Sequence, residues 1–384
     1  MKKALIVLLY MTCVALPIIL RYSATLPKLA GDKSLRRYPH FYLKSFSEGA
    51  FQDSISRYEE ERNGLRNVLI RTNNEINYRL LHKGSGLIVP GKGDYLFSED
   101  YIKAHLGVGA DSANIKAGFL KLDSLYELLR SHHIQLMYVV AAGKASFDRE
   151  QIDDHYRELK QPYSNYDIIK RSLPDCPFPT IDFQAYFDQI KASSPHALFP
   201  KHGLHWSTYG SSVALDSIVR KMGPLLDISM PYISKETDID TTAPRLGAWD
   251  ADLQECLNLL IPEYVDTLTY RDATFVEQGE HMKKPKVLIV GDSYGLSFNT
   301  TRFPQHYFDL DSRVWTYMDK QHTLSAENEW APSLSTLNLK EEILKYDIVI
   351  FVSTEINYGH MDYGLYDKIK DMPRGTDTND QRVN

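Results

Sequence analysis

The sequence predicts an α/β fold: a parallel sheet with helices on both faces, following an N-terminal membrane anchor and a helical lead-in. Three observations support this prediction. Apolar runs typical of buried strands recur at residues 134–141, 287–290 and 347–353. Amphipathic helices lie between them, most clearly at 115–132 and 211–222. Each strand ends on polar residues, and ligands bind at the carboxyl ends of strands in such sheets.

The N-terminus predicts an exported protein. Lys2 and Lys3 precede an apolar run from Ala4 to Leu20, and Arg21 follows it. This is a positive flank followed by a segment of about membrane-spanning length. A cleaved signal peptide requires a small-x-small site after the run, and 23–25 is poorly placed for one. We therefore favour an uncleaved anchor with the body outside the cytoplasm.

The remaining boundaries follow from composition. We expect a signal anchor at 1–22, a stalk rich in charge and proline at 23–50, one folded domain at 51–372 and a disordered tail at 373–384. The pattern of residues 46–81 predicts helices interrupted at Asn63-Gly64.

Composition and cysteine usage exclude several classes of function. The net charge of −6 shows no basic excess, so we expect no nucleic-acid partner. The three cysteines have no metal-ligand spacing, and we expect neither a metal nor another cofactor. Cys176 and Cys256 lie in the exported body, and the sequence leaves their pairing open.

The stretch Lys286–Gly295 carries the main chemical prediction. Its apolar strand stops at Gly291 and then presents Asp292, Ser293, Tyr294 and Gly295. A serine at a strand tip can stand clear of the sheet, and the backbone N–H groups of the following turn can bind an oxyanion. Because a hydroxyl is a weak nucleophile, a nucleophilic Ser293 requires a base elsewhere in the chain.

His205 is the best candidate for that base. It lies just before a predicted helix, beside Trp206 and among small polar residues. A lone histidine is more often a packed or surface residue, and Asp-Ser after a strand is a common turn. The prediction therefore depends on the two segments together.

Together these segments resemble a known family. The block 290–295, Val-Gly-Asp-Ser-Tyr-Gly, resembles the nucleophile block of SGNH (GDSL-type) hydrolases. The block 205–211, His-Trp-Ser-Thr-Tyr-Gly-Ser, resembles the histidine block of the periplasmic alginate O-acetyltransferases, in which the histidine also precedes the serine. Residues 91–97 are similar to that branch's G-K-[DN]-G-W-L-F motif, and 142–144 to its P-x-K strand end.

The resemblance implies an SGNH, flavodoxin-like domain that O-acetylates an extracytoplasmic polysaccharide through an acetyl-serine. It further implies periplasmic exposure and an acetyl donor supplied by a membrane-bound acyltransferase. Two alternatives stay open: a carbohydrate acetylesterase of the same fold, and a catalytically weakened glycan-binding partner of the acyltransferase.

One departure from the family concerns the orienting acid. The family carries an aspartate two residues before the histidine, where this chain has Gly203. Asp182 or Glu355 could replace it, a backbone carbonyl could orient the imidazole, or catalysis could have been lost. Loss of the orienting group costs on the order of 10⁴ in rate in a well-studied triad.

The remaining candidate site residues are assigned by position and chemistry. For the oxyanion we expect the Ser293 N–H, together with Asn299 or the Tyr294 backbone. Lys144, at a strand tip, could hold a carbonyl or acidic group of the substrate, against the alternative of an exposed lysine. Trp206 could stack on sugar, although packing against the neighbouring helix is the more common role of such a residue.

Overall fold

The computed structural model describes residues 2–21, 28–31, 35–241, 249–261, 268–324 and 333–375. Parts of the expected stalk and most of the expected tail lie outside these ranges. The chain divides into two compact units, Met1–Pro90 with Leu253–Glu263, and Gly91–Asp252 with Tyr264–Asn384. The proposed active-site residues all lie in the second unit.

The first unit is mainly helical. Its elements, in chain order, are α1 (Lys2–Arg21), α2 (Leu43–Ser47), α3 (Ala50–Arg62), α4 (Arg66–Leu81) and β1 (Ile88–Pro90). The break between α3 and α4 falls at Asn63-Gly64, as predicted. Residues Lys3–Arg21 of α1 have a mean hydropathy of 2.3, which makes the helix long and apolar enough to cross a membrane.

The second unit contains most of the remaining elements. Its strands are β2 (Leu96–Ser98), β3 (Gln135–Val140), β4 (Thr180–Asp182), β5 (Tyr232–Thr241), β6 (Leu268–Val276), β7 (Val287–Gly291), β8 (Arg313–Thr316), β9 (Lys320–Thr323) and β10 (Ile348–Ser353). Its helices are α5 (Glu99–His105), α6 (Ser112–Ser131), α7 (Lys144–Phe147), α8 (Asn165–Ser172), α9 (Phe183–Ile190), α10 (Thr208–Leu226), α12 (Ser293–Leu296), α13 (Pro304–Tyr307), α14 (Leu339–Glu342) and α15 (Leu365–Ile369). A further helix, α11 (Asp252–Leu257), begins at Asp252 in the second unit and continues into the segment that belongs to the first unit.

A six-stranded sheet organises this unit. The strand order is β4-β3-β10-β7-β8-β9, and every neighbouring pair is parallel except β8 with β9. Every residue of β7 and β10 is buried, as is all of β3 except its first residue. Burial on both faces explains why these strands are continuous apolar runs rather than alternating ones. The predicted α/β fold is confirmed.

The sheet is held by packing with helices. Leu122, Leu125 and Leu129 of α6 are buried with Leu136 and Tyr138 of β3 in one apolar cluster. Each fully buried aliphatic side chain of this kind contributes about 1.5–3 kcal/mol. The site therefore rests on a rigid set of central strands.

Local structure differs from the sequence pattern in two segments. The pattern after Asp148 predicts a helix to Lys160, but short 3₁₀ turns form there, because few of the side chains are buried. The pattern at 264–275 is compatible with a strand pair, and its described part contributes one strand, β6, which pairs antiparallel with the distant β5. The helix predicted at 337–345 is present as α14 and the 3₁₀ turn Ile343–Lys345 that continues it. In addition, Cys176 and Cys256 are not joined by a disulfide.

Candidate active site

The site lies at the carboxyl edge of the central strands. Because β3, β10 and β7 are parallel neighbours, their tips meet at one edge of the sheet. Lys144 follows β3, Glu355 follows β10 and Ser293 follows β7. The sequence predicted polar groups at these three tips, and the topology brings the three tips to the same edge.

Asp292 fixes the backbone that presents Ser293. It caps α12, with its Oδ1 accepting the Tyr294 N–H at 3.0 Å. Its Oδ2 accepts from the Thr354 N–H at 2.9 Å, the Thr354 hydroxyl at 2.7 Å and the Asn357 side-chain amide at 2.9 Å. Four hydrogen bonds satisfy this fully buried carboxylate and join the serine turn to the tip of β10.

Three side chains form a continuous row of hydrogen bonds. The Nε2 of His205 lies 2.8 Å from the Oγ of Ser293, and its Nδ1 lies 2.6 Å from the Oδ2 of Asp252. An ionised carboxylate only accepts hydrogen bonds, so Nδ1 carries the proton and donates to Asp252. The lone pair of Nε2 then faces the serine hydroxyl, which is the arrangement needed for general-base activation.

Aromatic rings limit the movement of the imidazole. His205 is 8% exposed, and its ring centroid lies 4.5 Å from that of Trp249 and 5.0 Å from that of Tyr294. The Asp252 carboxylate also accepts the Leu204 N–H through Oδ1 at 2.7 Å. One carboxylate therefore holds both the imidazole and the backbone next to it.

Neither acid expected from the sequence contacts His205. Asp182 caps α9 by accepting the Ala185 N–H at 3.0 Å, and its other oxygen accepts the Tyr166 hydroxyl at 2.9 Å. Glu355 is buried against Gly143, where a built Cβ would lie 1.8 Å from its Oε2. Burial raises the pKa of Glu355 to about 7, so this group is poorly suited to stabilise an imidazolium at neutral pH.

Gly203 has no room for the acid of the family motif. A Cβ at this position would lie 2.7 Å from the Cγ of Pro200, 2.7 Å from the Trp249 carbonyl oxygen and 2.8 Å from that of Asp250. The segment that brings in Asp252 thus fills the space that a side chain at 203 would need. An acid from a different place in the chain, Asp252, contacts Nδ1 of His205 instead.

Lys144 holds the histidine loop from inside the protein. It is fully buried, and its Nζ donates to the carbonyl oxygens of Lys201 at 2.5 Å and Gly203 at 2.8 Å. The Tyr294 hydroxyl donates to the carbonyl oxygen of Leu204 at 2.8 Å. The alternative of an exposed strand-end lysine is wrong, because the side chain is buried and its ammonium is directed at backbone carbonyls.

Trp206 and Asn299 are engaged with the protein itself. Trp206 is 2% exposed, packs against Phe183 and Phe298, and donates from Nε1 to the Ala142 carbonyl at 3.1 Å. Its position therefore fits packing and excludes stacking on a sugar. The Asn299 side-chain amide donates to the Thr323 carbonyl at 2.8 Å.

Hydrogen bonds within the serine turn occupy some of the backbone N–H groups that the sequence offered as oxyanion donors. The N–H groups of Tyr294 and Gly295 are bonded to the Oδ1 and the backbone oxygen of Asp292, respectively. The Ser293 N–H instead faces the Tyr317 hydroxyl. The Ser293 N–H is thus the backbone donor best placed for an oxyanion.

Asp252 is the site residue that sequence reasoning missed. It lies 47 residues after His205, in a segment with mixed secondary-structure signals. The available signal was the cluster Trp249-Asp250-Ala251-Asp252 before an apolar helix. Asp250 is buried and accepts both the N–H and the hydroxyl of Thr208, so it fixes the start of α10. Burial raises the pKa of Asp250, and the Thr208 bonds oppose that effect.

Comparison with known proteins identifies a family. Residues 88–320, more than half of the chain, match the SGNH hydrolase-like domain of the acetyltransferase AlgX. This range includes His205, Asp252 and Ser293. No curated protein sequence is significantly similar to the chain.

Three solved structures are similar to this chain. The O-acetyltransferase domain of Pseudomonas putida AlgJ is 17% identical, with 71% of this chain and 92% of that chain covered at a TM-score of 0.44. Pseudomonas aeruginosa AlgX is 16% identical, with coverages of 73% and 67% and a TM-score of 0.46. Bacillus cereus PatB1 is 11% identical, with coverages of 71% and 96% and a TM-score of 0.43.

Proposed function

The chain belongs to the family of the SGNH hydrolase-like domain of the acetyltransferase AlgX, and on that basis we propose that it O-acetylates a polysaccharide through an acetyl group carried on Ser293. The observation that carries the proposal is the hydrogen-bonded row Ser293–His205–Asp252. A row with an acid at its end also weakens the hypothesis of lost catalysis, which depended on the missing acid at Gly203.

In the first half-reaction, the Oγ of Ser293 attacks the carbonyl carbon of an acetyl donor. His205 takes the hydroxyl proton at Nε2 as the new C–O bond forms, and Asp252 stabilises the resulting imidazolium. The tetrahedral oxyanion accepts a hydrogen bond from the Ser293 N–H. When the tetrahedral intermediate collapses, the bond to the leaving group breaks and His205 returns the proton to that group.

In the second half-reaction, a sugar hydroxyl attacks the acetyl-serine. His205 Nε2 takes the sugar proton, the acetyl group moves to the sugar oxygen, and the proton returns to the Oγ of Ser293. Water competes for the same acyl group. Transfer therefore requires that the bound sugar reach the carbonyl carbon more readily than water does.

The N-terminal helix supports a location at the membrane. We propose that α1 is an uncleaved anchor that keeps the body at the periplasmic face of the cytoplasmic membrane. A membrane-bound acyltransferase would then supply acetyl groups, because the acetyl group must cross the membrane to reach the exported body. We also propose the domain division given above, with a stalk at 23–50, one folded domain at 51–372 and a tail at 373–384.

The test uses the full-length protein in detergent micelles with 4-nitrophenyl acetate, with and without an oligosaccharide acceptor. We expect mass spectrometry to find an acetyl group on Ser293 and, with acceptor, an acetylated sugar. Ser293→Ala should abolish both products. Ser335→Ala, at an exposed serine, is the matched control and should behave like the parent.

Each outcome has a distinct meaning. Acetyl-Ser293 with sugar product supports the transferase. Acetate release at Ser293 without any sugar product favours the acetylesterase. If Ser293→Ala matches the parent and no acetyl-serine forms, the protein is not an enzyme of this mechanism.

A further inference from the structure

Tyr317 stands beside the nucleophile although no sequence motif points to it. It follows β8, which runs parallel to β7 with Thr316 opposite Gly291. The Tyr317 N–H donates to the Gly291 carbonyl oxygen at 2.9 Å. This hydrogen bond holds the backbone of Tyr317 next to the turn that carries Asp292 and Ser293.

The hydroxyl of Tyr317 faces the reacting atoms. It interacts with both the Ser293 hydroxyl and the Ser293 backbone N–H. Burial and the charge of Asp292 raise the pKa of Tyr317, so the phenol stays protonated at neutral pH and can donate a hydrogen bond. The residue is only partly buried, with 51% of its surface exposed, so a substrate can reach the side of the ring that faces solvent.

The backbone at Tyr317 is strained. Tyr317 has φ of 53° and Met318 has φ of 52°, and the Asp319 N–H closes the turn onto the Thr316 carbonyl at 3.1 Å. Two successive left-handed residues make a hairpin turn that Asn-Gly usually occupies. Left-handed non-glycine residues each cost on the order of 1–3 kcal/mol and cluster at active sites.

A neighbouring ring supports the side chain in this position. The Tyr317 ring packs edge-on against Tyr363 with centroids 6.3 Å apart, and the Tyr363 hydroxyl is itself bonded to the Val352 carbonyl at 2.9 Å. The strained turn and this contact together determine where the Tyr317 hydroxyl points.

We propose that Tyr317 is the side-chain donor of the oxyanion site, acting with the Ser293 N–H on the acetyl carbonyl oxygen; this rests on the proposed acetyl transfer at Ser293. In the resting protein the hydroxyl lies beside the Ser293 N–H. The acetyl carbonyl oxygen enters at these two donors. As the Oγ–C bond forms, the carbonyl π pair moves onto oxygen, which accepts from both donors. No proton leaves Tyr317.

The test compares Tyr317→Phe with the parent in single-turnover acylation of the full-length protein by 4-nitrophenyl acetate. The variant removes one oxygen and keeps the ring. Loss of one oxyanion donor should slow acyl-Ser293 formation by about 10²-fold, with KM nearly unchanged. Tyr232→Phe is the matched control, because it removes the same oxygen from an exposed tyrosine of β5, and it should acylate within about threefold of the parent.

A second measurement is independent of turnover. Methylboronic acid forms a tetrahedral adduct with an activated serine and places a negative oxygen where the oxyanion would lie. Tyr317→Phe should bind it about 10²-fold more weakly than the parent. Equal affinity, an equal or faster acylation rate, or the absence of any Ser293 adduct would each overturn the assignment of Tyr317. Failure of the parent to acylate, with boronate binding still sensitive to Tyr317, would reject the acetyl-transfer reaction and retain the donor.

Discussion

At the scale of single residues, we assign to Asp252 the role that the family motif gives to the position of Gly203. Its Oδ2 accepts the His205 Nδ1–H at 2.6 Å, and its Oδ1 accepts the Leu204 N–H. The same contact fixes both the tautomer of the imidazole and the orientation of its ring. An amide in place of the carboxylate can favour the wrong tautomer while leaving the geometry intact.

Asp252→Asn should therefore lower the rate of acetyl-Ser293 formation by about 10³- to 10⁴-fold. Asp182→Asn is the matched control, since asparagine also caps helices and Asp182 does not contact His205. Rapid-mixing measurements of acyl-enzyme formation would separate the two. A slow Asp182→Asn beside a normal Asp252→Asn would assign the orienting acid to Asp182.

The sequence could single out Ser293 and His205 because each lies in a short block with a local signature, and the structure brings His205 Nε2 to 2.8 Å from the Oγ of Ser293. Asp252 was not, since its contact with His205 spans 47 residues and depends on a close approach that only Gly203 permits. Sequence spacing indicated that an acid was missing from one position. It contained no information about which distant carboxylate occupies the same space.

At the scale of secondary-structure elements, the loop before α10 decides whether His205 meets Ser293. Lys144, at the start of α7, donates to two carbonyl oxygens of this loop, and Tyr294 of α12 donates to a third. These bonds tie the loop to the tips of β3 and β7. We therefore expect Lys144 to act as a positioning residue, through the backbone next to His205.

Lys144→Met should release two carbonyl groups and allow the loop to shift. A displacement of about 1 Å near the reacting groups can cost about 10² in rate. We expect kcat for ester cleavage to fall by about that factor with KM nearly constant. Lys103→Met, which removes a half-exposed lysine paired with Glu99, should leave kcat unchanged. A parent-like kcat in Lys144→Met would refute the positioning role.

Strand prediction succeeded where burial is complete and failed where pairing is distant. The runs that became β3, β7 and β10 are apolar on both faces, so their composition alone identifies them. The partner of β6 is β5, about 30 residues earlier, and β5 is largely exposed. Its polar sequence gave little indication of a strand.

At the scale of the whole molecule, Glu355 couples stability to pH. An ordinary glutamate pKa of 4.5 applies in the unfolded chain, and burial raises the pKa of Glu355 to about 7 in the folded protein. The folded state therefore holds a proton that the unfolded state has lost. The contribution of Glu355 to stability falls as pH rises from about 4.5 to 7 and is constant above that range.

Glu355→Gln should remove this dependence. Relative to the parent, its free energy of unfolding should improve by on the order of 3 kcal/mol between pH 4.5 and pH 8. Urea unfolding of both proteins at the two pH values measures the difference. Glu280→Gln is the control, because the Glu280 side chain is 91% exposed. A difference between parent and Glu355→Gln that is the same at both pH values would contradict a raised pKa.

The position of β10 has a consequence for biosynthesis. This strand follows Ser293 in the chain, yet it lies between β3 and β7, and the residues just after it hold Asp292 through three hydrogen bonds. A ribosome releases Ser293 before it releases the strand that supports it. A nascent chain or a product truncated before residue 348 therefore contains Ser293 and His205 but lacks the strand and residues that hold them in place. The site thus assembles only after β10 and the residues that follow it have been synthesised.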